Sequence, residues 1–357
     1  MPILTGVSAG SINAAHLAND PVPWAEATRR LAQCWTDLCM QRVARPRSLW
    51  TLGLQALRGS PGPKQSLLDV SPLHIFLRSR LRTGRHERLT GVQANLDAGR
   101  LRALALSTSN YATQQTVTWT EGCAIHGWER PNRIGIQAPL TLRHVMASAA
   151  LPFLFPAVKL GNAWHGDGGL RLLDPLAPAI HLGADRLFVI STRYERSRAE
   201  ADTPRCTTYP STLRIAGALA NVLMLDVVEH DAAVLRRINT LVRQLPDDRR
   251  GRLRPIDLLI IRPSVDLGAL ANDYPLDLGR SLGTLLNHLR NRASSAPNWL
   301  SMLLFQPDYV KRLLEIGYAD ARDQHDRIAA FFSRNPAQES PLHATGTPTA
   351  HSPSGDS

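Results

Sequence analysis

The stretch MPILTGVSAGSINAA, residues 1–15, contains the pattern that decides the fold. Residues 3–7 form a short apolar run typical of a buried strand, and residues 11–17 read as a helix. A glycine stands two positions before Ser8 and another two positions after it, and glycines permit a tight turn. The stretch therefore predicts a strand, a sharp turn at Ser8 and a following helix.

The turn has the pattern of a nucleophilic serine, glycine-x-serine-x-glycine. Glycine at positions 6 and 10 leaves room both for the chain to turn and for a carbonyl group to approach the serine hydroxyl. The N–H of the next residue is then directed toward the negative charge that develops on the carbonyl oxygen. We predict that Gly6, Val7, Ser8, Ala9 and Gly10 form a nucleophile elbow with Ser8 as the nucleophile.

A serine nucleophile needs a base, and the best candidate lies far along the chain. The stretch HGDGG, residues 165–169, places one carboxylate among glycines that let the backbone approach another element. Asp167 is therefore the predicted base, with Gly168 and Gly169 as motif residues. A hairpin turn is the structural alternative, because Asp-Gly-Gly also suits a type I′ or type II turn.

Composition limits the classes of function. The chain has 357 residues, of which 43% are hydrophobic, and a formal net charge of +11. The charge favours contact with phosphates, either on anionic lipids or on nucleic acid. Aromatic content is only 6% and no nucleic-acid recognition motif is present, which argues against a nucleic-acid partner. An apolar stretch at 48–58, around Trp50, predicts core packing or contact with a membrane surface.

Targeting and metal signals are lacking. The chain has no apolar run long enough to span a membrane and no signal-peptide pattern, so we expect a cytoplasmic or peripheral membrane protein. Cys34, Cys39, Cys123 and Cys206 form no Cys-x-x-Cys pair, so buried thiols are predicted and a metal site is not.

Patterning predicts an α/β fold. The predicted strands, beyond the first, are 101–106, 116–119, 187–191 and 258–261. The predicted helices are 24–43, 142–150, 213–242 and a pair over 307–332. Because strands alternate with helices, we expect a three-layer α/β/α domain with a mostly parallel sheet over residues 1–332. Residues 333–357 are rich in Pro, Ser, Thr and Gly and are predicted to be a disordered tail.

The two motifs and their flanks resemble the patatin-like phospholipase family. GVSAG is followed by a distant DGG, and ASAALPFLFP at 147–156 resembles the family's segment before the aspartate. Residues 167–185 resemble the segment after it. Residues 223–239 and 260–264 are similar to the C-terminal part of bacterial members, so the resemblance covers about residues 3–332.

The resemblance implies a lipid acyl hydrolase that uses a Ser-Asp dyad. Carried onto this chain, Ser8 is the nucleophile that forms an acyl-enzyme intermediate, and Asp167 takes its proton with no histidine between them. Phospholipids or related acyl esters are the implied substrates, and no metal or organic cofactor is implied. An aspartate with its reference pKa near 3.9 is a weak base in water, so the dyad requires a direct, desolvated hydrogen bond.

Two alternatives remain for the site and its function. The first is an ordinary triad of Ser8, Asp167 and either His181 or His230, although both histidines lie in helix-like sequence. The second is that the protein lacks catalytic activity. In the family a glycine-rich G-G-G-x-R-G segment before the serine strand supplies oxyanion donors, and this sequence has no such segment.

We therefore expect the domain to be N-terminally incomplete, with its true start upstream. Each lost oxyanion donor lowers turnover about 100- to 1,000-fold. The alternative function is consequently an inactive or truncated lipid-binding or regulatory protein. A hydrolase of soluble short-chain esters or thioesters is a further enzymatic alternative.

Overall fold

The computed structural model describes residues 1–47, 66–123, 125–202, 227–251, 253–274 and 304–333. Of the predicted tail at 333–357, Ser333 instead ends the last described helix, and residues 334–357 lie outside the described residues. The apolar stretch around Trp50 and the first half of the helix predicted at 213–242 also lie outside them.

The described chain contains both strands and helices. The strands are β1 (Ile3–Gly6), β2 (Arg45–Pro46), β3 (Leu68–Asp69), β4 (Ala103–Asn110), β5 (Thr116–Gly122), β6 (Trp128–Arg130), β7 (Arg133–Gln137), β8 (Val158–Leu160), β9 (Ala163–Asp167), β10 (Arg186–Ile190) and β11 (Asp257–Ile261). The helices are α1 (Ala9–Asn19), α2 (Trp24–Thr36), α3 (Met40–Val43), α4 (Ser71–Arg80), α5 (Thr90–Asp97), α6 (Leu142–Ser148), α7 (Ala177–His181), α8 (Arg198–Asp202), α9 (Val227–Gln244), α10 (Leu267–Leu270), α11 (Pro307–Asp323) and α12 (His325–Ser333).

Seven strands form one mixed sheet in the order β6-β7-β5-β4-β9-β8, with β1 also paired to β4. The pairs β1–β4 and β5–β7 are parallel, as is the separate pair β10–β11. The β4–β5, β4–β9, β6–β7 and β8–β9 pairs are antiparallel. The parallel pairing that we expected is thus combined with hairpins, which need only short connections.

β1 and β9 share one edge of β4 and meet end to end along it. β1 runs parallel to β4 and stops where Gly6 faces Leu106. β9 runs antiparallel to β4 and stops where Asp167 faces Thr108. The carboxyl ends of the two strands therefore point toward each other across a gap opposite Ser107, and whatever follows each strand is brought to this gap.

The two faces of β4 pack against different helices, because successive side chains of a strand point to opposite faces. Leu104 and Leu106 enter the largest apolar cluster, on the side where α1 and α6 pack against β4. Ala103 and Ala105 enter a smaller cluster with Leu182, which directly follows α7. Helices thus cover both faces, and the predicted α/β class with flanking helices is confirmed.

The C-terminal elements form a second cluster and then return to the first. β10 and β11 pack on α9, and Asn239 of α9 exchanges two hydrogen bonds with the backbone of Ile256, 2.7 and 2.9 Å long. Tyr309 of α11 is buried in the main cluster, and α11 contacts α2. The last described helices are therefore anchored to the N-terminal part of the fold.

One predicted helix is two helices in the structure. The helix predicted at 24–43 is divided into α2 and α3. Cys39 has extended backbone angles (φ −129°, ψ 165°), and Leu38 is buried between the two helices. A helix end is normally marked in the sequence by glycine or proline. Neither residue occurs at this bend, where the buried Leu38 side chain lies between the two helices, so the sequence did not indicate the break. No described helix has the length and apolar composition needed to cross a membrane.

Candidate active site

The turn at Ser8 has the strained backbone of a nucleophile elbow. Ser8 lies between β1 and α1 with φ 54° and ψ −128°, a region that residues with a side chain seldom adopt. The Ser8 carbonyl accepts hydrogen bonds from the N–H and the hydroxyl of Ser11, at 2.9 and 2.6 Å. These bonds tie the turn to the first turn of α1.

The two motif glycines of the elbow have different roles. A Cβ atom on Gly6 would lie 2.3 Å from the carbonyl oxygen of Gly10, which excludes any side chain there. A Cβ atom on Gly10 would have nothing within 4 Å. Gly6 is thus required by the tight approach of β1 to α1, whereas Gly10 leaves open space beside Ser8.

Asp167 is the last residue of β9, and the chain after it turns through a short 3₁₀ helix at 168–170 instead of a hairpin turn. The backbone carbonyl of Asp167 accepts a hydrogen bond from the hydroxyl of Ser109 (2.8 Å). A Cβ atom on Gly168 would lie 2.2 Å from the carbonyl oxygen of Ser107 and 2.8 Å from the Val7 side chain. Glycine at position 168 therefore allows β9 to close against the end of β1.

The structure brings Ser8 and Asp167 together. The Ser8 hydroxyl donates a hydrogen bond of 2.6 Å to Asp167 Oδ2, and the Gly169 N–H donates one of 2.8 Å to Oδ1. The side chain of Asp167 has no ion pair in the described part of the chain, and the residue is only 1% exposed.

Burial raises the pKa of the Asp167 carboxyl to about 6, against the opposing effects of the hydrogen bonds from Ser8 and Gly169. Burial is the dominant effect because it disfavours the charged carboxylate. The carboxylate is therefore a stronger base than an aspartate in water, and it is already hydrogen-bonded to the hydroxyl whose proton it would take.

Neither histidine of the alternative triad lies in this arrangement. His181 ends α7 and stacks on Trp128, with ring centroids 4.9 Å apart, and burial lowers its pKa. His230 is exposed on α9. Among the described contacts, neither histidine forms a hydrogen bond to the dyad residues.

Two other histidines, His144 and His165, to which sequence analysis gave no role, are buried against Trp119. His165 Nδ1 lies 3.0 Å from the Thr108 hydroxyl, which also accepts a 2.9 Å hydrogen bond from the Trp119 indole N–H. The Trp119 ring contacts both His165 and His144 edge to face. Burial lowers the pKa of both imidazoles, that of His144 to about 4, so both are neutral near pH 7 and support β9 as packing groups.

The three cysteines in the described part of the chain do not group around a common site. Cys34 is buried, Cys39 half-buried and Cys123 exposed, each as a free thiol, and burial raises the pKa of Cys34 to about 11. Cys206 lies outside the described residues. Within the residues that the structure covers, no group of three or more His, Cys, Asp or Glu side chains is arranged to hold a metal ion.

Comparison with known proteins identifies the family of the chain. The family model described as patatin-like phospholipase matches residues 2–180, a range that includes the elbow, β4 and β9. No curated protein matches the chain. Because the family match extends over half of its residues, the chain belongs to the patatin-like phospholipase family.

Proposed function

We propose that this protein hydrolyses acyl esters of phospholipids, with Ser8 as the nucleophile and Asp167 as the base. Membership of the patatin-like phospholipase family indicates lipid acyl hydrolase activity. The observation that carries the finer proposal is the direct 2.6 Å hydrogen bond from the Ser8 hydroxyl to Asp167 Oδ2. A base at hydrogen-bond distance from the hydroxyl is the geometry that nucleophilic catalysis requires.

In the acylation half-reaction, Ser8 Oγ attacks the ester carbonyl carbon while its proton moves to Asp167 Oδ2. The tetrahedral intermediate then expels the lysolipid alkoxide, which takes the proton from Asp167. In deacylation a water molecule loses a proton to Asp167 and attacks the acyl-serine. The fatty acid leaves as the proton returns to Ser8 Oγ, so both residues end in their starting states.

Oxyanion stabilisation is assigned to the first turn of α1. The first N–H groups of a helix lack intrahelical acceptors, and the helix dipole favours negative charge at this end. We assign the Ala9 and Gly10 amides to the developing oxyanion, since they directly follow Ser8. The open space beside Gly10 is where the acyl group would approach.

Contact with an anionic membrane surface is the proposed mode of access to substrate. The net charge of +11 favours such a surface. Phe153, in the loop between α6 and β8, is 88% exposed and has a positive φ of 64°. Because its side chain is exposed, Phe153 does not stabilise the fold by packing, and the strained turn is not explained by such packing. An exposed aromatic side chain is suited to insertion among lipids.

Labelling with a fluorophosphonate probe tests the dyad. The wild-type chain should be labelled, Ser8→Ala and Asp167→Asn should not, and His181→Gln and His230→Gln should be labelled at the wild-type rate. Ser79→Ala, which removes a hydroxyl bound to the Phe76 carbonyl in α4, is the matched control. Loss of labelling in either histidine variant would refute the dyad in favour of a triad.

Hydrolysis is then measured as fatty acid released from vesicles of phosphatidylcholine and phosphatidylglycerol. Release from vesicles but not from short-chain esters would support the lipid substrate. A folded chain that is never labelled, and whose vesicle binding is unaffected by Ser8→Ala, would refute the catalytic proposal and favour a lipid-binding protein.

A further inference from the structure

The strained turn at Ser8 is also supported through the backbone N–H of Ser8. A residue with a side chain at φ 54° and ψ −128° tends to relax to a commoner conformation unless its surroundings hold it. The Ser8 carbonyl is held by Ser11. The Ser8 N–H is held by a different element, because it donates a 3.2 Å hydrogen bond to the hydroxyl of Ser148.

Ser148 uses both functions of its hydroxyl. It is the last residue of α6 and is 0% exposed. While its oxygen accepts from the Ser8 N–H, its proton is donated to the carbonyl of Ser107 at 2.7 Å. A serine hydroxyl has one proton to donate, so this bond also fixes the direction of the oxygen lone pairs that receive the Ser8 N–H.

The two hydrogen bonds of the Ser148 hydroxyl, to the Ser8 N–H and the Ser107 carbonyl, form a bridge at the gap between the ends of β1 and β9. Ser107 is the β4 residue between Leu106, where β1 stops, and Thr108, where β9 stops. At this position neither strand continues the ladder, and the Ser148 hydroxyl joins the elbow N–H to the β4 carbonyl in place of a ladder hydrogen bond. A buried N–H without such a partner would be destabilising.

The same segment also holds the base. The Ala150 carbonyl, two residues after Ser148, accepts a 2.9 Å hydrogen bond from the Asp167 N–H. The backbone N–H groups of both dyad residues are thus bonded to residues 148–150 at the end of α6. Both hydrogen bonds thus run to one three-residue segment, although Ser8 and Asp167 lie on opposite sides of the gap.

We propose that the segment Ser148–Ala150 is a clamp that sets the Ser8–Asp167 distance, and that Ser148 is a positioning residue for the nucleophile. Its hydroxyl touches no reacting atom and acts through the Ser8 backbone. The proposal rests on the proposed function for its effect on activity, but its effect on the Ser8 amide is independent of any activity.

The test compares Ser148→Ala with wild type by two measurements. Hydrogen exchange at the Ser8 amide, resolved by fragmentation mass spectrometry, should accelerate by about tenfold or more because the acceptor is lost. The rate constant for fluorophosphonate labelling should fall by about tenfold or more, with a lower kcat and little change in KM on a lipid ester. Ser66→Ala is the control: Ser66 is also buried and donates to a backbone carbonyl, that of Leu68 at 2.9 Å, and neither quantity should change.

The outcomes separate the two proposals. Unchanged Ser8 exchange in a folded Ser148→Ala protein overturns the clamp, as does an unchanged labelling rate when wild type is labelled. If wild type is not labelled but Ser148→Ala accelerates Ser8 exchange, the clamp stands and the catalytic proposal fails. Should Ser148→Ala fail to melt cooperatively, Ser148→Cys replaces it. A thiol is a weaker acceptor, so intermediate exchange is expected and wild-type exchange overturns the clamp.

Discussion

Replacing Asp167 by Asn should remove activity and yet stabilise the fold. In the folded protein the carboxyl has a pKa of about 6, against an ordinary value of 3.8, and burial is the main cause. Each pKa unit corresponds to about 1.4 kcal/mol. The buried charge therefore lowers the free energy of unfolding by about 3 kcal/mol at pH 7.5. Asparagine has the same shape and no charge, and its amide group can hydrogen-bond to both Gly169 and Ser8.

The stability difference should depend on pH in a defined direction. Because the folded protein binds the Asp167 proton more tightly than the unfolded chain, wild type gains stability as pH falls from above 6 to below 3.8. The Asn variant has no such titration. Its advantage should therefore be about 3 kcal/mol at pH 7.5 and should vanish near pH 3.5.

Urea unfolding of both proteins at several pH values measures this difference, because the titrations of all other groups are common to the pair. Ser79→Ala, measured in parallel, should show no pH-dependent difference from wild type. An Asn variant that is less stable than wild type at pH 7.5, or an advantage that stays constant down to pH 4, would refute the argument that Asp167 holds an unfavourably buried charge.

Four further perturbations test the site and the proposed membrane contact. Fluorophosphonate labelling should fall about tenfold from pH 7.5 to pH 5 with a midpoint near 6, because only ionised Asp167 accepts the proton; a midpoint near 4 would contradict the raised pKa. Gly6→Ala should lower the free energy of unfolding by more than about 2 kcal/mol, since its Cβ would lie 2.3 Å from a backbone oxygen. Gly10→Ala, with open space around its Cβ, should stay within about 0.5 kcal/mol of wild type, and similar losses in both variants would contradict the packing described. Phe153→Gly should be at least as stable as wild type, because glycine relieves a positive φ. It should also sediment less with phosphatidylglycerol vesicles, and unchanged sedimentation would exclude this residue from the membrane contact.

Ser8 and Asp167, the residues of the proposed dyad, could be singled out from the sequence because each has a local signature. The turn at Ser8 requires glycine at position 6, and β9 can approach β1 only with glycine at position 168. Both requirements can be recognised in the sequence because each is met by a glycine beside the residue concerned. The strand before the serine and the helix after it were equally clear, and β1 and α1 agree with them.

The elements around the base were harder to predict. β8 and β9, over 158–167, have no regular alternation of apolar and polar residues, because β9 is buried near its end through His165 and Asp167. Gly166 in β9 lies under the Tyr111 ring, whose hydroxyl would be 2.1 Å from an added Cβ. Such a requirement comes from a distant residue, and no pattern within the strand indicates it.

The role proposed for Ser148 also has no signal in its own helix. Its partners are separated from it by 140 and 41 residues, and a serine near the end of a helix usually bonds locally or to water. Only the junction of β1, β4 and β9 makes this hydroxyl a bridge. Local patterns thus predict the proposed reacting groups, whereas the groups that hold them depend on tertiary contacts.

The meeting of β1 and β9 on β4 has a consequence for the order of events during biosynthesis. The hydrogen bond between Ser8 and Asp167 joins residues 159 positions apart, and closing a loop of that length is entropically unfavourable until the strands between them have docked. Ser8 emerges from the ribosome long before Asp167. A growing chain consequently carries a serine of ordinary reactivity, and under the proposed mechanism an acyl-cleaving nucleophile exists only once the sheet is complete. Under the proposed function, folding itself would thereby delay attack on lipid esters until synthesis has passed β9.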